Sequence, residues 1–210
     1  MPTFPIRLPR PLAAPRLAAS TALAALLLIS VDGGMTPASA GPLADGARVA
    51  EEKALAGDPV AAFEAARDAL ATFTAGLPFT IAKAVFVSEK PAAYGAYVPR
   101  ANAVFKPGEV LITYVELIGL HWKPGDGGLL TSNFTVDLEL KDAKGATLAA
   151  EKGFGNFSFT GHVQNQEVYT HLTLDVSGAK PGDYVAQYRV NDVLGQRSAV
   201  FEQPFTVAAP

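Results

Sequence analysis

Beyond Leu77-Pro78 the chain is a succession of short runs rich in Val, Ile, Thr, Phe and Tyr, each closed by a glycine- or proline-bearing turn. This punctuation constrains the fold more than any other feature. Residues alternating at period two bury one face of a strand, and no helical period intervenes to build a helix layer. Strands are expected at Thr80–Ser88, Glu109–Ile118, Phe134–Leu140, Thr147–Glu151, Phe154–Thr160, Glu167–Val176, Asp183–Asn191 and Ser198–Val207. Lys141-Asp142-Ala143-Lys144-Gly145 reads as a hairpin turn, while Lys106-Pro107-Gly108 and Lys180-Pro181-Gly182 each deliver the chain into a strand. In Phe134–Leu140, Phe134, Val136, Leu138 and Leu140 share the inner face, with Thr135, Asp137 and Glu139 opposite. Seven or eight such strands with half-buried alternation predict a mainly β protein, an antiparallel β-sandwich. Val110–Ile118 departs from the pattern. It carries Leu111, Val115 and Leu117 on one face and Ile112, Tyr114 and Ile118 on the other, so it needs a second cover.

A helical leader precedes the strands. Gly46–Thr74 is built from Ala, Glu, Lys, Arg and Leu, and Gly57-Asp58-Pro59 supplies a helix stop, an N-cap and a first-turn proline. Val60, Phe63, Ala66, Leu70 and Phe73 then form one apolar stripe at helical period. One helix pair is too little for a helical-repeat array, which needs about three repeats. The stripe is therefore expected to pack on the outer face of the sheet that holds Val110–Ile118, with Phe63, Leu70 and Phe73 as its structural contacts. Solvent exposure of Phe63 and Leu70 would instead make it a partner surface.

The first forty residues carry an export address. Arg7, Arg10 and Arg16 precede an uncharged run from Leu17 to Val31, and Ala38-Ser39-Ala40 offers small residues before Gly41. Together these are the n-region, h-region and cleavage site of a secretory signal peptide. A fifteen-residue helix rises about 22 Å, short of the roughly 30 Å hydrocarbon core. The expected organisation is a cleaved signal peptide over 1–40, a helical leader over 41–77 and the β domain over 78–210. The mature protein then lies in the periplasm or the medium, with no membrane attachment after cleavage.

Composition excludes several classes. With 49% hydrophobic and 18% charged residues the chain is too apolar for a disordered one. A net charge of −3 argues against a nucleic-acid surface. The absence of cysteine removes disulfides, thiol nucleophiles, Cys-based zinc sites and lipid acceptors.

The segment Leu172-x-Leu174-x-Val176 followed by Gly182-Asp183-Tyr184-Val185-Ala186 resembles the E–F region of an immunoglobulin-like domain. The resemblance gives Tyr184 the structural role of the tyrosine corner. Ala186 stands where the family's second cysteine would be, so the likeness is to the disulfide-free immunoglobulin-like or fibronectin-like sandwiches. Phe105–Glu109, Tyr114–Glu116 and Pro181–Tyr184 are moreover similar to elements of uncharacterised exported bacterial proteins. That resemblance implies a fold and an exported location, and it carries no activity.

No G-x-S-x-G, H-E-x-x-H, Walker loop or strand-borne G-x-G-x-x-G is present. His121, His162 and His171 lack metal-site spacing, so no cofactor and no metal are expected. The distinctive chemistry is aromatic. Tyr94 and Tyr97 flank Gly95-Ala96, His121-Trp122 opens a Pro-Gly-Asp-Gly-Gly loop, and Phe154 and Phe157 sit among glycines. These six residues are candidate ligand contacts, since rings supply binding area at little entropic cost. The same rings could instead plug the ends of the core. The expected function is non-enzymatic binding of an envelope protein or carbohydrate. The alternatives are a proteinase-inhibitor-like loop at Trp122–Gly128, as in bacterial immunoglobulin-like inhibitors, and a hydrolase with an unrecognised site. Oligomeric state is left open.

Overall fold

A computed structural model describes residues 41–209 of the protein. Two helices, α1 (Pro42–Leu55) and α2 (Pro59–Ala75), lead into nine strands. These are β1 (Thr80–Val87), β2 (Val104–Phe105), β3 (Val110–Ile118), β4 (Lys123–Pro124), β5 (Leu130–Asp142), β6 (Thr147–Gly161), β7 (Val168–Asp175), β8 (Gly182–Asp192) and β9 (Arg197–Val207). One sheet is antiparallel, in the order β1-β3-β7. The other runs β2-β9-β8-β5, with β6 and the short β4 also paired to β5. It is mixed, because β2 lies parallel to β9. The export segment expected over 1–40 lies outside the described residues.

The two sheets share one apolar core. Leu111, Val115, Leu117 and Leu172 from the smaller sheet meet Phe134, Val136, Tyr188, Val190 and Phe205 from the larger. These are the inward members of the alternation, and Ala186 among them is fully buried. Two expected strands, Thr147–Glu151 and Phe154–Thr160, are one continuous β6. The glycine between them makes a bulge instead of a turn. Gly153 adopts φ 67°, the register jumps between Val136 and Leu138, and the Asp137 carboxylate accepts the Gly153 N–H at 2.9 Å. At the corner before β8, the Tyr184 hydroxyl donates to the Lys180 carbonyl at 2.7 Å and its ring stacks on Phe205.

The cover over the outer face of β3 is a correction to the sequence-based expectation. Helix α2 leaves Phe63 67% exposed, Leu70 42% and Phe73 40%. What α2 buries is its alanine side, with Ala69 the buried residue of the helix. Gly46 of α1 sits so close to Ala69 that an added Cβ would stand 2.2 Å from the Ala69 Cβ. Close approach of two small-residue faces wins over the larger side chains, because it lets the short helices pack backbone to backbone. The outer face of β3 is instead roofed by the segment 88–103. Ser88 N–H donates to Val98 O and Arg100 N–H to Phe86 O, both at 2.9 Å, which returns the segment to the end of β1. The ring of Tyr97 stacks on Tyr114 at 4.3 Å, and Tyr114 is fully buried beneath it.

Candidate functional site: an apolar cleft at the helix–sheet junction

The C-terminal half of α2 is tied to one end of the sheets by polar contacts. The Thr74 hydroxyl donates to the Gln166 side-chain oxygen at 2.5 Å, and the Gln164 amide donates to Ala71 O at 3.4 Å. Below them lies a buried carboxylate. Asp192, 1% exposed, accepts from His121 N–H at 3.1 Å, Gly195 N–H at 3.0 Å and the Arg197 guanidinium at 2.9 Å. Arg197 also donates to Gly119 O at 2.6 Å and to Leu77 O at 3.4 Å. One ion pair thus fixes the helix–strand linker, the β3–β4 loop and the β8–β9 turn together. Gly119 is required at this crossing. It adopts φ 76°, and a Cβ there would meet Pro78 O at 2.6 Å.

Anchoring α2 at its end leaves a cleft of about 440 Å³ between the helix and the sheet end. Leu70, Phe73 and Leu77 form the helix wall; Leu117, Ile118, Leu120 and Trp122 form the opposite one. Tyr94 and the run Gln164–Val168 close the remaining sides. Gln164 and Gln166 are engaged with α2 and with each other, and Asn165 is folded onto Glu167 through its N–H and carbonyl. Apart from the exposed Glu167 carboxylate at the rim, the free surface of the cleft is therefore mainly hydrocarbon and ring. Such a site holds an apolar group by displacing water.

The structure brings Tyr94 and Trp122 to the same cleft although 28 positions separate them in the chain. Trp122 is half-buried and leans on Phe159 at 6.4 Å. Tyr97 lies next door, on Tyr114, with the Lys83 ammonium 5.5 Å from its ring centre. His121 is exposed, while its backbone is held by Asp192 and by the Ser132 hydroxyl at 2.6 Å. Phe154 and Phe157 are elsewhere, half-buried against the core: Phe157 stacks on Phe134 at 4.8 Å and Phe154 leans on Tyr188. The Trp122–Gly128 segment is a tight hairpin, closed by Gly125 N–H to Leu129 O at 2.7 Å and by pairing of Lys123 with Thr131.

A tyrosine cluster adjoins the cleft through Tyr94, which meets Tyr169 edge-on at 6.4 Å. At its centre the Tyr114 hydroxyl accepts from Gly95 N–H and donates to the Glu116 carboxylate, both at 2.8 Å. Glu116 is buried and paired with Lys83 at 3.6 Å. Burial pushes the Tyr114 phenol up to about 12, with the Glu116 charge acting in the same direction. Burial likewise raises Tyr94, again helped by Glu116. A hydrogen bond to Tyr97 and the Glu116 charge hold Lys83 above the ordinary lysine range. Burial, with Lys90 nearby, lowers His171.

Sequence reasoning missed Glu116 and Lys83. The signal was a carboxylate placed in register with Ile112, Tyr114 and Ile118 on the apolar outer face of β3. It expected Leu70 and Phe73 to pack on the sheet that holds β3, where they stand instead across an open cleft from Leu117 and Ile118, and it passed over the amide run Gln164-Asn165-Gln166. Among the described residues no three His, Cys, Asp or Glu side chains group as a metal site, and no helix is long and apolar enough to cross a membrane.

No protein-family model matches the sequence, and no curated protein matches it. Among solved structures the chain is similar to a family 123 glycoside hydrolase from Clostridium perfringens. That match has 12% identity and a TM-score of 0.40, and covers 64% of this chain and 28% of that one. It is also similar to Spo0M, a sporulation control protein from Bacillus subtilis. There the identity is 12% and the TM-score 0.36, over 64% of this chain and 51% of that one. The chain therefore spans a little over a quarter of the first protein and about half of the second.

Proposed function

We propose that this protein is an exported, non-enzymatic binding module on an immunoglobulin-like sandwich, whose cleft receives an apolar side chain of a protein partner in the cell envelope. The observation that carries the reading is the wall of Leu70, Phe73, Leu77, Ile118 and Trp122, which faces open space beside rim amides already satisfied within the chain. A site of this composition rewards burial of hydrocarbon, and the Glu167 carboxylate at its rim disfavours an anionic ligand. The backward hydrogen bond of Tyr184 to Lys180 and the buried Ala186 behind it support the immunoglobulin-like assignment. Arg7, Arg10 and Arg16 ahead of the apolar run and Ala38-Ser39-Ala40 after it support export.

The test is affinity capture from the native cell envelope on immobilised Gly41–Pro210, with Trp122→Ala and Ile118→Glu as controls. A partner retained by the unaltered protein and lost with either variant is the expected result. Equal retention by all three proteins overturns the assignment of the cleft.

A further inference from the structure

We propose that the cleft takes a peptide segment in which an apolar side chain stands beside a lysine or arginine, with Glu167 at the rim reading the cation. This rests on the cleft being a binding site and adds the charge of what it accepts. Glu167 is the one charged residue of the lining. Asn165 holds its main chain from both sides, at 3.0 and 3.3 Å. Its carboxylate is exposed and, among the described residues, belongs to no ion pair.

The other polarised features of the cleft have the same sign. Tyr94, Phe73 and Trp122 contribute rings, whose faces attract a cation. Burial and the Glu116 carboxylate raise the Tyr94 phenol, and the Glu167 charge adds to them, so the two rim groups stand close together. Phe73 and Thr74 belong to the last turn of α2, which carries no basic residue. The partial negative charge at the carbonyl end of that helix therefore lies beside the cleft without a cation of its own.

Two cations reach the lining, and both are already paired. Arg197, which donates to Leu77 O and Gly119 O, is bound to Asp192 at 2.9 Å. Lys83, whose charge Tyr94 also feels, is bound to Glu116 at 3.6 Å. An anion in the cleft thus meets like charge at the rim, and a neutral group leaves Glu167 unpaired. A cation beside an apolar anchor complements both the walls and the rim.

The shape of the cleft selects a peptide. At about 440 Å³ it lies near the small end of ligand pockets. Leu70 is 42% and Phe73 40% exposed, so the helix wall stays partly in water. A peptide keeps its main chain hydrated on that side while one side chain enters and the next reaches Glu167. A cationic lipid would leave much of its chain outside, with hydrocarbon in water.

The experiment is an NMR titration of the isotope-labelled protein at low salt, following the Trp122 indole N–H and the Gly119 amide. The probes are three capped pentapeptides, Gly-Leu-Phe-Lys-Gly and its counterparts with glutamine or glutamate in place of lysine. The lysine peptide should bind about 3- to 30-fold more tightly than the glutamine peptide, from an exposed ion pair together with a cation–ring contact. The glutamate peptide should bind most weakly. Glu167→Gln should reduce the lysine preference and leave the affinity for the glutamine peptide unchanged. Glu151→Gln, on exposed β6 outside the cleft, makes the same change in net charge and should leave the preference intact. Equal affinity for the lysine and glutamine peptides, or tightest binding of the glutamate peptide, would overturn the proposal and leave the cleft a binding site. So would a lysine preference that Glu167→Gln leaves whole or that Glu151→Gln removes. If none of the three peptides moves the Trp122 signal, the cleft itself is not a binding site and the proposal falls with it.

Discussion

Tyr114→Phe isolates one hydroxyl without disturbing the ring that Tyr97 stacks on. That hydroxyl joins the roofing segment to β3: it accepts Gly95 N–H from the roof and donates to Glu116 on its own strand. Removing it deletes a hydrogen bond to a buried carboxylate, worth about 1.5–3 kcal/mol, and an amide hydrogen bond worth about 0.5–1.5 kcal/mol. Lys83 stays beside Glu116 at 3.6 Å and recovers part of the first loss. A net cost of about 2–4 kcal/mol is expected, which in a domain of this size lowers the melting temperature by about 4–16 °C. The location of the effect is the sharper test. Amide hydrogen exchange should accelerate in residues 88–103, Gly95 above all, before it does so in β5 or β8. Unchanged melting together with unchanged exchange at Gly95 would refute the claim that this phenol pins the roof.

Other outcomes follow from the same geometry. Tyr114 and Tyr188 both titrate near 12 in the folded protein against about 10 when unfolded. The unfolded chain therefore loses these protons first, and stability should fall between pH 10 and 12. Equal melting temperatures at pH 9.5 and 11.5 would contradict it. Gly46→Val should force α1 from α2, because even a Cβ at that position stands 2.2 Å from Ala69 Cβ. Overpacking of this kind costs about 1–3 kcal/mol, visible as lost helical ellipticity at 222 nm with the strand signal kept. Asp192→Ala strips the partner from Arg197 and leaves two backbone N–H groups unsatisfied. A broken buried pair costs about 3–5 kcal/mol, and chemical denaturation should register it as a lowered midpoint.

Strand positions were legible because period-two alternation and Pro-Gly turns are local properties, and β1, β3, β7, β8 and β9 fall within a residue of expectation at each end, whereas β5 begins four residues before the expected Phe134. The break read between Glu151 and Phe154 failed for a local reason too: a glycine at positive φ serves a bulge as well as a turn, and only the partner strand decides between them. The α2 stripe failed for a different reason. Periodicity reveals that Phe63, Leu70 and Phe73 share a face, and says nothing about which surface meets it. That was decided by Gly46 and Ala69, whose smallness carries no amphipathic signal. The need for a cover over β3 was legible, since Ile112, Tyr114 and Ile118 demanded one. Its identity was not, because the roof is an irregular segment held by single contacts such as Gly95 to Tyr114. The cleft was the least legible feature. Its walls come from four separate stretches of the chain, around Leu70, Tyr94, Ile118 and Gln166, which meet where the Asp192–Arg197 pair holds the linker against the sheet end.

The binding claim is tested most directly by the protein's one tryptophan, Trp122, which forms part of the cleft wall. Titrating the protein with the uncharged fluorophore N-phenyl-1-naphthylamine reads the cleft directly. Saturable one-to-one quenching of Trp122 emission, with transfer to the bound fluorophore and loss of both on Ile118→Glu, is the predicted result. Emission that stays unchanged at saturating fluorophore, or quenching that persists undiminished in Ile118→Glu, would contradict an apolar binding cleft at the helix–sheet junction.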